Sequence, residues 1–167
     1  MAATDAPPVR AFVGLGSNLD DPAAQVQRAL ATLAALPHTR LLRHSRRYRT
    51  APWGLEAQPA FVNAVAEVET TLEARALLDA LLAIERAHGR RRDGERWGPR
   101  TLDLDLLTWD DLRLHAPGLE LPHPRIAERA FVLVPLAELA PDLDIAGAGS
   151  VRELLARIDA RGCVPID

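Results

Sequence analysis

Two stretches of helical periodicity, each fenced by strand-like runs, constrain the fold of this chain more than any other feature. Val26, Leu30, Leu33 and Leu36 recur at helical spacing and predict an amphipathic helix over roughly 22–36. Leu77, Leu78, Leu81, Leu82 and Ile84 predict a second over 73–88, with Gly89 as its stop. Asp20 or Asp21 can cap the first helix, with Pro22 in its opening turn and Pro37 beyond its end; Thr71 can cap the second. Val9 to Leu15 reads as a buried strand closed by a Gly14–Asn18 turn. Strands are expected over 41–50 and 61–70 between the helices, and over 101–109 after the second. Strand–helix–strand–strand–helix–strand is the order of a ferredoxin-like α/β sandwich. The expected class is therefore α+β, a mainly antiparallel sheet with helices packed on it.

Beyond residue 109 the pattern weakens. A turn at 110–111, a short return strand at 112–114 and a loop over 117–124 are expected. Short helical pieces at 125–130 and 135–139 follow, then a last helix at 151–160 capped by Ser150. The 167 residues, 48% of them hydrophobic, suit one domain over 9–167 behind a flexible tail at 1–8. No apolar run approaches the roughly 20 residues of a membrane span, and Met1 to Arg10 has no hydrophobic signal core. A net charge of −3 argues against a nucleic-acid partner. The single cysteine, Cys163, points to a reducing compartment, so a cytoplasmic monomer is expected.

The chemistry concentrates around Asp103 and Asp105. In an extended strand these two share a face, about 7 Å apart, while Leu102, Leu104 and Leu106 fill the other. A carboxylate pair with no cation in its own strand makes sense as ligands for hard divalent ions, Mg²⁺ above all, with positions left for water and phosphate oxygens. The preceding loop, 89–100, carries Arg90, Arg91, Arg92, Arg96 and Arg100 against only Asp93 and Glu95. All 20 basic residues are arginine. That excludes a P-loop lysine, a kinase strand lysine and a Schiff base. Phosphate must instead be handled by arginine forks, backbone N–H groups and metal.

Other residues leave alternatives open. Trp53 and Trp97 lie in loops next to glycine or proline, where tryptophan either caps a core or stacks on a planar ligand. Asn63, inside an apolar strand, either bonds the edge of such a ring or is satisfied by backbone. Gly14-x-Gly16 lacks the third glycine of a dinucleotide fingerprint, so a tight turn that brings substrate to the backbone is expected there. His123 is fixed between two prolines and can contact phosphate. His38, His44, His88 and His115 lack metal-ligand spacing and are expected at the surface.

Several motifs occur in a telling order: Gly16-Ser17-Asn18-Leu19, Tyr48-Arg49-Thr50, Phe61-Val62-Asn63-Ala64, and Glu85 through Gly89-Arg90-Arg91-Arg92. The dodecamer Arg96–Leu107 follows, then Pro122-His123-Pro124-Arg125, Glu128-Arg129-Ala130-Phe131 and Pro135-Leu136-Ala137-Glu138. Together they resemble the 6-hydroxymethyl-7,8-dihydropterin pyrophosphokinase family of folate biosynthesis, from Gly14 to about Asp142. The resemblance implies transfer of the β,γ-pyrophosphoryl group of ATP to the pterin hydroxymethyl oxygen, with release of AMP and with long mobile active-site loops. It implies two Mg²⁺ ions on Asp103 and Asp105, and Arg90 and Arg100 stabilising the migrating group. Leu78, Glu85, Arg92, Arg96, Leu106, His123 and Arg129 fall at its ATP positions. Gly16, Thr50, Pro52, Trp53, Phe61, Asn63, Trp97 and Phe131 fall at its pterin positions, with the ring stacked between Phe131 and Trp53 or a neighbouring aromatic. Asp103 or a metal-bound water would accept the proton. Ala51, Trp53, Asp93 and Ala127 depart from residues common in the family.

Two other readings compete. A nucleotidyltransferase also pairs a Gly-Ser turn with a D-x-D strand, but normally close in sequence, whereas 86 residues separate Ser17 from Asp103 here. A noncatalytic phosphate- or RNA-binding module could use the arginine loop, but leaves the apolar-flanked acid pair unexplained.

Overall fold

The structure, a computed structural model, describes residues 4–50, 59–89 and 102–167. Strand β1 (Val9–Ser17), helix α1 (Pro22–Ala34), strands β2 (Thr39–His44), β3 (Tyr48–Thr50) and β4 (Phe61–Thr70), helix α2 (Ala74–Ala87) and strand β5 (Asp103–Trp109) follow in order. β1 lies between β4 and β5, antiparallel to both. β2 and β3 share the other edge of β4, and all these pairings are antiparallel. This is the expected ferredoxin-like arrangement.

Side-chain alternation assigns each layer. Val13 and Leu15 of β1, Val62 and Ala64 of β4, and Leu104 and Leu106 of β5 are buried with Val26, Leu30 and Leu33 of α1 and Leu77, Leu81 and Ile84 of α2. The intervening positions Phe12, Val65 and Leu107 point the opposite way. They are buried with Val132, Leu133 and Leu136 of α3 (Ala130–Leu139) and with Val151 and Leu154 of α4 (Val151–Leu155). Two helices thus cover each face, and burial of both faces accounts for the nearly continuous apolar run of β4.

The helix ends behave mostly as their residues dictate. Asp21 caps α1 by accepting from the Ala24 amide at 3.4 Å, with Pro22 as the first helical residue. Ser150 and Glu153 form a reciprocal capping box on α4. Gly89, with φ of 84°, follows the end of α2 in the left-handed conformation that glycine adopts without strain. The N-cap of α2 is Glu73 rather than Thr71, and no side chain bonds there. Thr71 is engaged elsewhere, donating its amide to the His38 carbonyl at 3.0 Å.

Other boundaries shift for identifiable reasons. β1 does not turn at Gly14 but runs on to Ser17, because β5 stays paired with it as far as Gly16 and β4 as far as Ser17. The strand expected over 41–50 is two strands broken at Ser45. The Ser45 amide donates to the Val65 carbonyl at 2.8 Å and its hydroxyl accepts from the Val65 amide at 3.0 Å, which carries the pairing across the break. The return strand lies at Leu114–Ala116 (β6) and pairs with Leu119–Leu121 (β7), inside the stretch expected to be loop. The two helical pieces become a 3-10 turn at Ile126–Glu128 and one continuous helix, α3, through the buried Pro135. α4 ends at Leu155 rather than 160, as Arg157 and Ile158 bond three residues back and tighten the chain into a turn. Asp144–Ile145 (β8) and Gly149–Ser150 (β9) form a two-residue hairpin, and Val164–Pro165 (β10) pairs with β3; the sequence pattern predicts none of these. Among the described residues, no helix is long and apolar enough to cross a membrane.

Candidate active site

Asp103 and Asp105 share the face of β5 opposite the buried Leu102, Leu104 and Leu106. Their register partners on β1 are Gly16 and Gly14. On the far side of β1, Gly16 is level with Asn63 of β4, and Asn63 with Tyr48 of β3. Asp103, Gly16, Asn63 and Tyr48 therefore form one row across four strands. Gly16 must lack a side chain there, because a Cβ would stand 2.5 Å from Nδ2 of Asn63. At Gly14 a Cβ would meet the Leu107 side chain at 3.5 Å, an ordinary contact. Gly16 thus serves close packing inside a sheet, not the tight turn expected of it. That also removes the Gly-Ser turn on which a nucleotidyltransferase reading depends.

Asn63 is 7% exposed, and its amide is fixed from both ends. Thr50 Oγ1 donates to its Oδ1 at 2.6 Å, and its Nδ2 donates to the Leu15 carbonyl at 3.4 Å. A neighbouring side chain and the backbone both hold it. Thr50 is level with Phe61 across β3 and β4, so Gly16, Thr50, Phe61 and Asn63 are brought together at one end of the sheet. Asn18, to which sequence reasoning gives no role, is buried at the same end, and its Nδ2 donates to the Pro59 carbonyl at 3.1 Å. Its signal was its position directly after Gly16-Ser17, which fixes where β1 leaves the sheet.

A cleft of about 460 Å³ opens between α2, β5 and the β6–β7 hairpin. Leu78, Glu85, Asp105, Leu106 and His123 line it, which places four of the expected ATP residues beside one of the two acids. Leu82 and Leu119 also line it and were missed. Leu82 was findable as the residue one helical turn beyond Leu78. Glu85 is 2% exposed, and its Oε2 accepts the backbone N–H of Leu104, between the two acids, at 2.7 Å.

His123 joins the cleft to β5, since its amide donates to the Leu107 carbonyl at 2.8 Å. Its Nδ1 accepts the Arg125 amide at 3.2 Å, which leaves the ring proton on Nε2 in the neutral form. Burial pushes the imidazole down to about 4, with Arg129 and Arg125 adding to the effect and Glu120 opposing it.

Arg129 links the acids to α3. It precedes α3, its side chain is only 12% exposed, and its Nη1 lies 3.9 Å from Oδ2 of Asp105. Burial lowers the guanidinium from its ordinary value against the opposing pull of Asp105. Its buried Nε has no partner among the described residues. The same guanidinium sits 5.5 Å from the centre of the Phe131 ring, so it bridges Asp105 and an aromatic face. Arg90, Arg92, Arg96, Trp97, Arg100, Pro52 and Trp53 lie outside the described residues.

Two shared motifs have a structural use. The Tyr48 hydroxyl donates to Glu138 Oε1 at 2.5 Å, and the Arg46 backbone amide donates to Glu138 Oε2 at 3.0 Å. This ties β3, and with it Thr50, to α3. Burial alone would push the Glu138 carboxyl up; the hydrogen bonds from Tyr48 and Arg46 overcome it and hold the group below its ordinary value.

Residues 12–141 match the model of a family described as 7,8-dihydro-6-hydroxymethylpterin-pyrophosphokinase, HPPK. The chain belongs to this pyrophosphokinase family. A 2-amino-4-hydroxy-6-hydroxymethyldihydropteridine pyrophosphokinase of Methylorubrum extorquens is 48% identical over 92% of this chain and 96% of its own. Its counterpart from Pseudomonas aeruginosa is 50% identical over 92% of this chain and 94% of its own. The fold is also that of a Plasmodium falciparum HPPK-DHPS structure with pteroate, at a TM-score of 0.72 and 12% identity. That match covers 93% of this chain but 43% of the Plasmodium chain, so this pyrophosphokinase family member corresponds to less than half of that protein.

Proposed function

We infer that the chain is an ATP-dependent pyrophosphokinase of tetrahydrofolate biosynthesis, which acts on 6-hydroxymethyl-7,8-dihydropterin. The observation that carries this reading is near-50% identity to named pyrophosphokinases across almost the whole chain. The pterin hydroxymethyl oxygen attacks the β-phosphorus of ATP, the bond from that phosphorus to the α-phosphate oxygen breaks, and AMP leaves. The hydroxyl proton passes to Asp103, the carboxylate at the Asn63 end of the pair.

The acid pair fits Mg²⁺. Asp103 and Asp105 are hard oxygen donors on one face, Asp105 is 42% exposed, and the glycines level with them on β1 put no side chain in the way. Among the described residues no group of three or more metal-ligating side chains occurs, so two carboxylates would hold the ions and phosphate oxygens and water would complete the shell. When bound, the two Mg²⁺ ions supply neutralisation of triphosphate charge.

For the remaining roles, placement supports those of the described residues, and family likeness supports the rest. Leu78 and Leu106 offer apolar contact to the nucleoside in the cleft, with Glu85 at its wall. His123 offers a neutral Nε2–H donor to a phosphate oxygen, and Arg129 offers a fixed positive charge beside Asp105. Arg92 and Arg96 bind ATP phosphates, and Arg90 and Arg100 meet the migrating group. Gly16, Thr50, Phe61 and Asn63 form the pterin shelf, and family likeness assigns Pro52, Trp53, Trp97 and Phe131 to the same substrate. Since one chain supplies both sides, a monomer suffices; we place it in the cytoplasm.

Incubation with ATP, Mg²⁺ and hydroxymethyl-dihydropterin, followed by identification of the nucleotide product, tests the reading. AMP is expected. ADP or free pyrophosphate would overturn it.

A further inference from the structure

We propose that Glu85 is a positioning residue that sets the geometry of the Asp103–Asp105 pair through the backbone of β5, rather than a ligand of the nucleoside. The inference rests on the Mg²⁺ role of the two acids given above. β5 is an edge strand of its sheet: β1 occupies one side, and among the described residues no strand of that sheet occupies the other. An edge strand leaves backbone N–H and C=O groups to be satisfied by other elements. On this edge the Leu104 N–H is taken by Glu85 Oε2 at 2.7 Å, and the Leu107 C=O by the His123 amide at 2.8 Å. Leu104 is the residue between the two acids, so its hydrogen bond holds the peptide unit that leaves Asp103 and leads to Asp105.

Burial strengthens the case. Glu85 is 2% exposed, held among Leu77, Leu81 and Ile84 on α2, and Leu104 is 3% exposed. A carboxylate in such a position carries a desolvation cost that only good hydrogen bonding offsets. Glu85 lines the cleft, but one of its carboxylate oxygens is already committed to the Leu104 amide. Groups that orient ligands from behind commonly change metal affinity by about 10–100-fold when lost.

Two conservative variants separate hydrogen bond from charge. Glu85→Gln keeps an acceptor oxygen and removes the charge; Glu85→Asp keeps the charge and withdraws the oxygen by one methylene. Each is titrated with Mn²⁺ by electron paramagnetic resonance in the presence of α,β-methylene-ATP, with amide hydrogen exchange of Leu104 read by NMR. Glu85→Gln is expected to hold Mn²⁺ within a few-fold of wild type and to keep the Leu104 amide slow. Glu85→Asp is expected to exchange that amide faster and to bind Mn²⁺ about 10–100-fold more weakly, with unchanged pterin affinity. Wild-type Mn²⁺ binding by Glu85→Asp, or a loss in Glu85→Gln as large as in Glu85→Asp, would overturn the proposal. Asp105→Asn serves as the control for the reading beneath it. If that variant binds Mn²⁺ like wild type, the metal assignment itself has failed. If it loses Mn²⁺ while Glu85→Asp does not, only the role of Glu85 has failed.

Discussion

Gly16 on β1 and Asn63 on β4 approach so closely that no methyl group fits between them: a Cβ on Gly16 would lie 2.5 Å from the Asn63 amide nitrogen. Asn63 cannot retreat freely, since Thr50 donates to its other end at 2.6 Å. Gly16→Ala is therefore expected to displace the Asn63 amide and weaken this bond. One hydrogen bond of this kind is worth about 1–1.5 kcal/mol, so the KM for the pterin should rise about 10-fold. The KM for ATP should hardly move, because the cleft lies on the other side of β5. Equal rises in both would show that the shelf is not specific to the pterin.

Asp103→Ala and Asp105→Ala should each lower turnover by roughly 10²–10³-fold or more, the scale on which fixed charge stabilisation acts in transition states. The fold should persist, since neither carboxylate is fully buried and the core side of β5 is made of leucines. Circular dichroism and thermal melting would check the fold, and steady-state assays the turnover. Retained turnover in both variants would refute the metal role.

The ferredoxin-like core was legible because two clean helical periods and alternating strands carry it, and burial enforces both. The shared face of Asp103 and Asp105 on β5 was legible for the same reason, as polar interruptions in an apolar strand. What escaped depends on contacts distant in sequence. Whether 41–50 forms one strand or two is decided by Ser45 meeting Val65, and Gly16 is explained only by Asn63 across a strand pair. The β10 strand exists because residues 164–165 find the free edge of β3, which no local pattern announces. Glu85 illustrates the difference most sharply. Its position near the cleft followed from family likeness, but its bond to Leu104 needed the packing of α2 on β5.

Tyr48 and Glu138 lie 90 residues apart and are joined by a 2.5 Å hydrogen bond between β3 and α3. Tyr48→Phe removes the donor and leaves Glu138 with its bonds from Arg46. A hydrogen bond to a charged group contributes about 1.5–3 kcal/mol, and the retained Arg46 bonds argue for the lower end. Denaturant unfolding should show this loss, and a cycle with Glu138→Gln should show coupling between the two sites of about 0.5–3 kcal/mol. Additive effects would mean that the contact does not hold β3 to α3.

His123 makes stability depend on pH in a window that can be worked out. Burial beside Arg129 and Arg125 pushes its native pKa down to about 4, against an ordinary value of 6.5. As pH falls through 6.5 the unfolded chain takes up a proton that the folded chain refuses until about pH 4. The unfolded state thus binds more protons in that window, and stability falls on acidification, levelling off below pH 4. Between pH 7.5 and pH 5 this group alone should cost about 2 kcal/mol. His123→Asn keeps an acceptor for the Arg125 amide but cannot be protonated, so its stability should fall less over the same range. Urea unfolding of both proteins at the two pH values measures the difference, and parallel losses would show that His123 is not held neutral by its burial.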